Sequence, residues 1–158
     1  MPTQSPVFYG AGLALALLTS APSANAVGSN PTCAVVGDSI AVGAGQFMRG
    51  CRVNAKIGIS SRATIARVDP SADINVVSAG SNDYEDPNLR TNLERIRSRA
   101  KHTIWILPIN PKARAAVRAV AAKHGDPVVS FEPAGDHVHP RSEAALARSI
   151  RAILAEQS

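Results

Sequence analysis

Short runs of consecutive apolar residues recur along the chain and alternate with longer segments in which apolar residues return every three or four positions. Continuous runs of this length are typical of strands buried on both faces of a parallel sheet, and the longer period is that of a helix. The runs predict five strands, at residues 33–36, 52–56, 74–78, 103–107 and 127–131. The periodic segments predict five helices, at residues 40–48, 60–67, 89–100, 111–124 and 140–156.

The strict alternation of strand and helix predicts an α/β fold. A connection between parallel strands crosses over the face of the sheet, so helices cover both faces. Pro111 and Pro140 suit the first turn of a helix, and Gly125 suits the position just past a helix end. We therefore expect a three-layer α/β/α sandwich around a five-stranded parallel sheet.

The N-terminal segment differs from the rest of the chain. Residues 1–26 carry no Lys, Arg, Asp or Glu, and an apolar stretch over residues 7–18 leads to Ala24-Asn25-Ala26, a small-x-small cleavage pattern. An uncleaved membrane anchor is the alternative, but this stretch is shorter than the roughly 20 residues that a spanning helix needs. The pattern predicts a signal peptide at 1–26, export to the periplasm or the medium, a single domain at 27–158, and no transmembrane anchor after cleavage.

Charge narrows the range of partners only slightly. The chain has 17 Lys and Arg against 12 Asp and Glu, a net charge of +5, which favours anionic partners. The basic residues are spread along the predicted helices and are not grouped with aromatic residues. We therefore expect no nucleic-acid binding.

The two cysteines, Cys33 and Cys51, precede the first and second predicted strands. If these strands are parallel neighbours, their starts lie about 4.8 Å apart, within the reach of a disulfide. An exported protein meets an oxidising environment, so we expect the two thiols to pair, with two free buried thiols as the alternative. No CxxC motif or Cys/His cluster accompanies them, so we expect no metal site.

Polar residues and glycines follow four of the five predicted strands. They are Gly37-Asp38-Ser39-Ile40, Gly58, Gly80-Ser81-Asn82-Asp83 and Asp136-His137-Val138-His139. In parallel sheets the carboxyl ends of the strands meet at one edge, where ligands bind. The sequence therefore predicts one functional site assembled from four loops.

Taken together, the four loop motifs resemble the SGNH, or GDSL-like, serine hydrolases, over the whole predicted domain. The resemblance implies the flavodoxin-like SGNH hydrolase fold. It also implies that Ser39 is the nucleophile, His139 its general base and Asp136 the group that orients the imidazole. The backbone N–H groups of Ser39 and Gly58 and the side-chain amide of Asn82 are implied as the oxyanion hole.

The resemblance implies an ester hydrolase that works through an acyl-serine without cofactor or metal, because a neighbouring base must activate a serine hydroxyl. Short predicted loops and few aromatic residues favour an open site and a small acyl ester, such as an acetylated envelope or extracellular saccharide. The alternatives are a lysophospholipase or thioesterase-type carboxylesterase, and a non-catalytic polysaccharide-binding module.

Each candidate residue also has a structural alternative. Ser39 suits the N-cap of the following helix, as Asp38 also does, and Gly58 and Asn82 suit turns. His137 competes with His139 because it directly follows Asp136, although the D-x-x-H spacing of the family favours His139.

Overall fold

The computed structural model describes Met1 and residues 31–157. Apart from Met1, the predicted signal peptide lies outside the described residues. The strands are β1 (Cys33–Gly37), β2 (Arg52–Ala55), β3 (Ile74–Ser78), β4 (His102–Ile106) and β5 (Val128–Val129). The helices are α1 (Ser39–Gly45), α2 (Ser61–Thr64), α3 (Leu89–Arg99), α4 (Pro111–His124) and α5 (Glu143–Glu156), with a short 3-10 helix at Ile65–Arg67.

The five strands form one parallel sheet in the order β2-β1-β3-β4-β5. The chain starts in β1, moves outward to β2 and returns past β1 to β3, so the direction of winding reverses between β1 and β3. The carboxyl ends of these two strands flank the crevice where such sheets bind ligands. The predicted α/β sandwich and its flavodoxin-like strand order are confirmed.

Two hydrophobic clusters lie on opposite faces of the sheet, because successive side chains of a strand point to opposite sides. Val35 of β1 and Ile104 of β4 pack on the side of α1 and α5. Val36 and Trp105, each one residue further along, pack on the side of α3 and α4. The continuous apolar runs in the sequence therefore reflect burial on both faces.

Helix α5 and strand β5 depart from the prediction. Pro140 forms an isolated antiparallel bridge with Pro133 and is not a first-turn residue. The helix starts at Glu143, because the side chain of Ser142 accepts a hydrogen bond from the backbone N–H of Ala145. Strand β5 has two residues where five were predicted, and it lies at the edge of the sheet.

Cys33 and Cys51 form a disulfide bond, with their Cα atoms 4.7 Å apart. Ala34 pairs with Arg52 in the register of β1 and β2, so the two cysteines occupy the preceding pair of positions. The bond therefore ties the edge strand β2 to the central strand β1.

Candidate active site

The nucleophile candidate, Ser39, is the first residue of α1, directly after β1. Gly37 has a φ of +131°, and a Cβ placed on it would lie 1.9 Å from the carbonyl oxygen of Ser78. Only glycine fits this position, where the end of β1 approaches the end of β3 closely. This tight turn places Ser39 at the carboxyl edge of the sheet.

Asp38, and not Ser39, is the N-cap of α1. The Asp38 carboxyl group is buried, and its Oδ1 accepts hydrogen bonds from the backbone N–H of Ile40 (3.1 Å) and from the Ser78 hydroxyl (2.7 Å). The helix N-terminus is thus satisfied by the aspartate. As a result, the hydroxyl group of Ser39 is available for another partner.

That partner is His139, whose Nε2 lies 2.9 Å from Ser39 Oγ. On the other side of the ring, His139 Nδ1 lies 2.6 Å from Asp136 Oδ2. The structure therefore brings the hydroxyl, the imidazole and the carboxylate into one hydrogen-bonded line. The residues at either end of the line are 97 positions apart in the sequence.

The Asp136 carboxylate is held by hydrogen bonds in addition to the one from the imidazole. Its Oδ1 accepts the backbone N–H groups of Val138 and His139, each at 3.0 Å. The hydrogen bond from the His139 ring, followed by these two backbone bonds, holds the pKa of Asp136 well below its usual range. Asp136 therefore stays ionised in mildly acidic solution, where it can orient and stabilise a charged imidazole.

His137 is not part of this line. It has a φ of +57°, in the left-handed region, and its backbone N–H donates to the carbonyl oxygen of Ala134. This sharp turn separates the two histidines, and His139 is the one that contacts Ser39. His137 instead lines a cavity beside the site.

The two loops predicted to complete the oxyanion hole are joined by a hydrogen bond. The side-chain amide of Asn82 donates to the carbonyl oxygen of Ile59 at 2.9 Å, and Ile59 directly follows Gly58. Gly58 has a φ of +75° and open space where a Cβ would stand. One N–H of the Asn82 amide is used in this link, which leaves its second N–H as a donor.

A neighbouring network connects the same loops and was not predicted from the sequence. Asp83 Oδ2 accepts hydrogen bonds from both the backbone N–H and the hydroxyl of Ser61, the first residue of α2. The amide of Asn92, on α3, donates to the Ser61 hydroxyl at 3.1 Å. Ser61 and Asn92 are buried. The Asp83 carboxylate thus holds the loop after β3 against the loop after β2.

A second carboxyl group, Glu143, lies near the imidazole. It begins α5 and packs on α1 at Gly43, where a Cβ would lie 2.3 Å from Glu143 Oε1. Burial raises the pKa of Glu143, and the charge of His139 opposes this with a smaller effect. The position of Glu143 near the imidazole could not be predicted from the sequence, because Glu143 contacts a glycine 100 positions away.

The candidate site is open to solvent. The side chains of His139 and Asp136 are 41% and 50% exposed. Within residues 31–157 there is no group of three or more His, Cys, Asp or Glu residues placed to hold a metal ion. No helix in the same part of the chain is long and apolar enough to cross a membrane.

The loops of all four motifs lie at one edge of a parallel sheet, which is the α/β architecture that the resemblance to the SGNH hydrolases implies. The chain is similar in structure to the C-terminal catalytic domain of peptidoglycan O-acetyltransferase A (OatA) from Streptococcus pneumoniae, solved with a methylsulfonyl adduct. The likeness covers 80% of this chain and 93% of that domain, with a TM-score of 0.58 and 14% identity. No protein-family model matches the chain, and no curated protein matches it by sequence.

Proposed function

We propose that the protein is an exported serine esterase that removes small acyl groups, acetyl above all, from envelope or extracellular saccharides. The observation that carries the proposal is the hydrogen-bonded line from Ser39 through His139 to Asp136. A serine, a histidine and an aspartate in this arrangement are the parts of a hydrolytic triad, which is recognised by geometry and not by sequence order.

In the proposed mechanism, Ser39 Oγ attacks the ester carbonyl carbon while His139 Nε2 takes the hydroxyl proton. Asp136 keeps the proton on Nδ1 and stabilises the positive imidazolium. When the tetrahedral intermediate collapses, His139 gives its proton to the departing alcohol oxygen, and the acyl group stays on Ser39. Water then attacks the acyl-serine with the same base, which releases the carboxylic acid and restores the hydroxyl.

The negative oxygen of each tetrahedral intermediate needs hydrogen-bond donors. We assign this role to the backbone N–H groups of Ser39 and Gly58 and to the free N–H of the Asn82 amide. The hydrogen bond between Asn82 and Ile59 supports the assignment because it ties the second and third donors to each other. The loss of one such donor typically costs about 100- to 1,000-fold in rate.

Several observations support a small acyl group, a saccharide and export. The open site favours a short acyl group over a long chain enclosed in a tunnel. The structural neighbour is named for the transfer of acetyl groups on peptidoglycan, which supports an acetyl ester of a saccharide. The disulfide fits an oxidising compartment, in agreement with the signal peptide that the sequence predicts at 1–26.

A second candidate is transfer of the acyl group to a saccharide hydroxyl in place of water, and the name of the structural neighbour favours it. The first half of the reaction is the same, so the triad does not separate the two. If the protein is a hydrolase, we expect added oligosaccharide to leave the rate of acetate release unchanged. Formation of acetylated oligosaccharide at the expense of acetate would instead establish a transferase.

The test uses the purified protein with p-nitrophenyl acetate and a serine-directed fluorophosphonate. We expect turnover and labelling of Ser39, and the loss of both in Ser39→Ala. Ser98→Ala is the matched control, because Ser98 is an exposed serine on α3 whose hydroxyl donates a hydrogen bond to the backbone carbonyl of Arg95. A wild-type protein that is neither labelled nor active would favour the non-catalytic polysaccharide-binding module.

The acyl-chain length is tested with p-nitrophenyl esters of increasing length. We expect the highest kcat/KM with acetate, because the open site offers a long chain little apolar surface to bury. A clear preference for long esters would favour the lysophospholipase or thioesterase alternative.

A further inference from the structure

A cavity of about 270 Å³ lies beside the triad, over the carboxyl ends of β3, β4 and β5. Its lining residues come from the three loops that follow these strands: Ser81, Tyr84, Ile109, Asn110, Pro111, His137 and Val138. The Cα atoms of His137 and His139 are at most about 7 Å apart, because two residues of fully extended chain span no more than this. Any molecule in the cavity therefore lies next to the proposed reaction centre.

The lining combines apolar surface with unused polar atoms. The side chains of Tyr84 and Val138 are large, apolar and unusually exposed, at 38% and 41%. The oxygen of the Asn110 side chain caps α4, which leaves its amide nitrogen as a donor.

This chemistry selects between possible occupants. None of the lining residues is Asp, Glu, Lys or Arg, so the cavity suits an uncharged group. A hydrocarbon chain would leave the amide N–H groups of Asn110 without a partner, which is unfavourable. A sugar ring has hydroxyl groups for the Asn110 amide and apolar C–H faces for Tyr84 and Val138. The volume of about 270 Å³ is slightly below the usual range for ligand pockets, about 300–1,000 Å³, which fits a single ring.

We propose that this cavity binds one uncharged sugar ring of the saccharide. Identifying that ring as part of the ester substrate rests on the proposed function. Binding of the ring is a separate property that does not require the ester reaction. Tyr84 and Val138 then determine specificity by contact with the ring, and Asn110 by a hydrogen bond to it.

The first experiment measures binding without catalysis. Tri-N-acetylchitotriose, an uncharged oligosaccharide without an O-acetyl ester, is titrated into the protein by calorimetry or NMR. We expect Tyr84→Ala to raise Kd about three- to tenfold, the range expected for the loss of one aromatic contact. Phe47→Ala is the matched control, because Phe47 is an aromatic residue with similar exposure (42%) at the other end of α1.

His137→Gly is a second variant, chosen because it is expected to fold even if Tyr84→Ala does not. Glycine adopts a φ of +57° without strain and keeps the N–H that bonds to Ala134, so the turn that carries His139 is preserved. The variant removes only the ring that lines the cavity. We expect it also to weaken binding of the trisaccharide, with the unfolding midpoint equal to or above that of the wild type.

Kinetics supply the second measurement. We expect Tyr84→Ala to lower kcat/KM for acetylated xylo-oligosaccharides about three- to tenfold relative to p-nitrophenyl acetate. A loss confined to long-chain p-nitrophenyl esters would overturn the proposal, because the cavity would then hold the acyl chain. Trisaccharide affinity equal in the wild type, Tyr84→Ala and His137→Gly would also overturn it. Sugar binding that depends on Tyr84 in a protein without any esterase activity would support the sugar site and overturn the proposed function.

Discussion

At the scale of single residues, Asp136 is the group whose loss tests the triad most sharply. Its Oδ2 faces His139 Nδ1, and its Oδ1 is fixed by two backbone N–H groups. In Asp136→Asn the amide donates a hydrogen bond to Nδ1, which places the ring proton on Nε2, so that the ring cannot accept the proton of Ser39. We expect kcat on p-nitrophenyl acetate to fall by about 10³- to 10⁴-fold.

Asp69→Asn is the matched control for this variant. Asp69 also accepts two nearby backbone N–H groups in a turn, those of Ser71 and Ala72, and it does not contact the triad. We expect its kcat to equal that of the wild type. An Asp136→Asn protein that keeps more than a tenth of the wild-type kcat would contradict the assignment of Asp136.

The sequence predicted the meeting of Ser39, Asp136 and His139 better than it predicted their surroundings. Motif spacing predicted which serine, aspartate and histidine would meet, because the order of strands determines where the four loops lie. It did not decide whether Ser39 or Asp38 would cap α1, since both residue types are good caps and the answer depends on the buried hydroxyl of Ser78. Glu143 could not be predicted either, because its position depends on how α5 packs on α1.

At the scale of elements, the link between Asp83 and Ser61 holds together the two loops that carry Gly58 and Asn82. In Ser61→Ala the hydroxyl is lost, and with it one hydrogen bond to Asp83 and one from Asn92. The loops are then less firmly held, and the proposed oxyanion donors lose alignment. We expect kcat to fall about 10- to 100-fold, less than for the loss of a whole donor, with KM within about twofold of the wild type.

Ser71→Ala is the control for Ser61→Ala, because Ser71 forms the same kind of pair with Asp69, through hydroxyl and backbone N–H, at an exposed site. Its kcat should equal that of the wild type. If Ser61→Ala changed only the unfolding midpoint and left kcat intact, the link would be structural without a role in positioning.

The end of β1 is a second element whose geometry can be tested. A Cβ at Gly37 would lie 1.9 Å from the carbonyl oxygen of Ser78. The clash cannot be relieved by a side-chain rotation, because the Cβ is fixed to the backbone of β1 and the oxygen belongs to the backbone of β3. We expect Gly37→Ala to lower the free energy of unfolding by at least about 3 kcal/mol, or to prevent folding. Gly135→Ala, where the Cβ meets open space, should change it by less than about 0.5 kcal/mol in urea denaturation.

Elements with strong local signals were predicted well, and elements whose ends depend on tertiary contacts were not. Helix α4 has the predicted bounds, because Pro111 starts it and Gly125 ends it in a left-handed conformation. Strand β3 also has the predicted bounds, since it is buried on both faces. Helix α5 begins three residues later than predicted, because Pro140 is held in a bridge with Pro133, a contact that the helical period does not reveal.

At the scale of the whole molecule, stability in acid depends on carboxylates that are hydrogen-bonded in the folded state. Hydrogen bonds from the Thr32 hydroxyl, the Thr32 N–H and Lys101 lower the pKa of Asp73 from 3.8 to about 2. A lowered pKa contributes stability that is present above the unfolded value of 3.8 and is lost as the pH falls through about 2.

We therefore expect the wild type to be more stable than Asp73→Asn by a constant amount above about pH 5. The difference should shrink as the pH falls below 3.8 and be lost below pH 2, where the Asp73 carboxyl is protonated in the folded protein as well. Urea unfolding followed by circular dichroism across this range measures it. A difference that stayed the same from neutral pH down to pH 2 would show that Asp73 contributes through its shape and not through its charge.

The disulfide acts on the molecule as a whole, because it fastens an exposed edge strand to the core. Arg52, Val53 and Asn54 of β2 are all exposed, so little burial holds this strand in place. The cross-link joins residues 18 positions apart and restricts the unfolded chain, an effect of about 3 kcal/mol for a loop of this size in the chain-entropy model. The loop that carries Gly58 follows β2 directly, so the bond also anchors one proposed oxyanion donor.

We expect the double variant Cys33→Ser, Cys51→Ser to unfold at a lower urea concentration, with a free energy of unfolding about 3 kcal/mol below that of the wild type. Dithiothreitol should lower the stability of the wild type by a similar amount and leave the double variant unchanged, which separates the bond from other effects of the reductant. Esterase activity should fall in urea at a lower concentration than the unfolding of the core in the reduced protein, because the edge strand and its loop detach first. Activity and core structure lost together in both redox states would contradict this role of the bond.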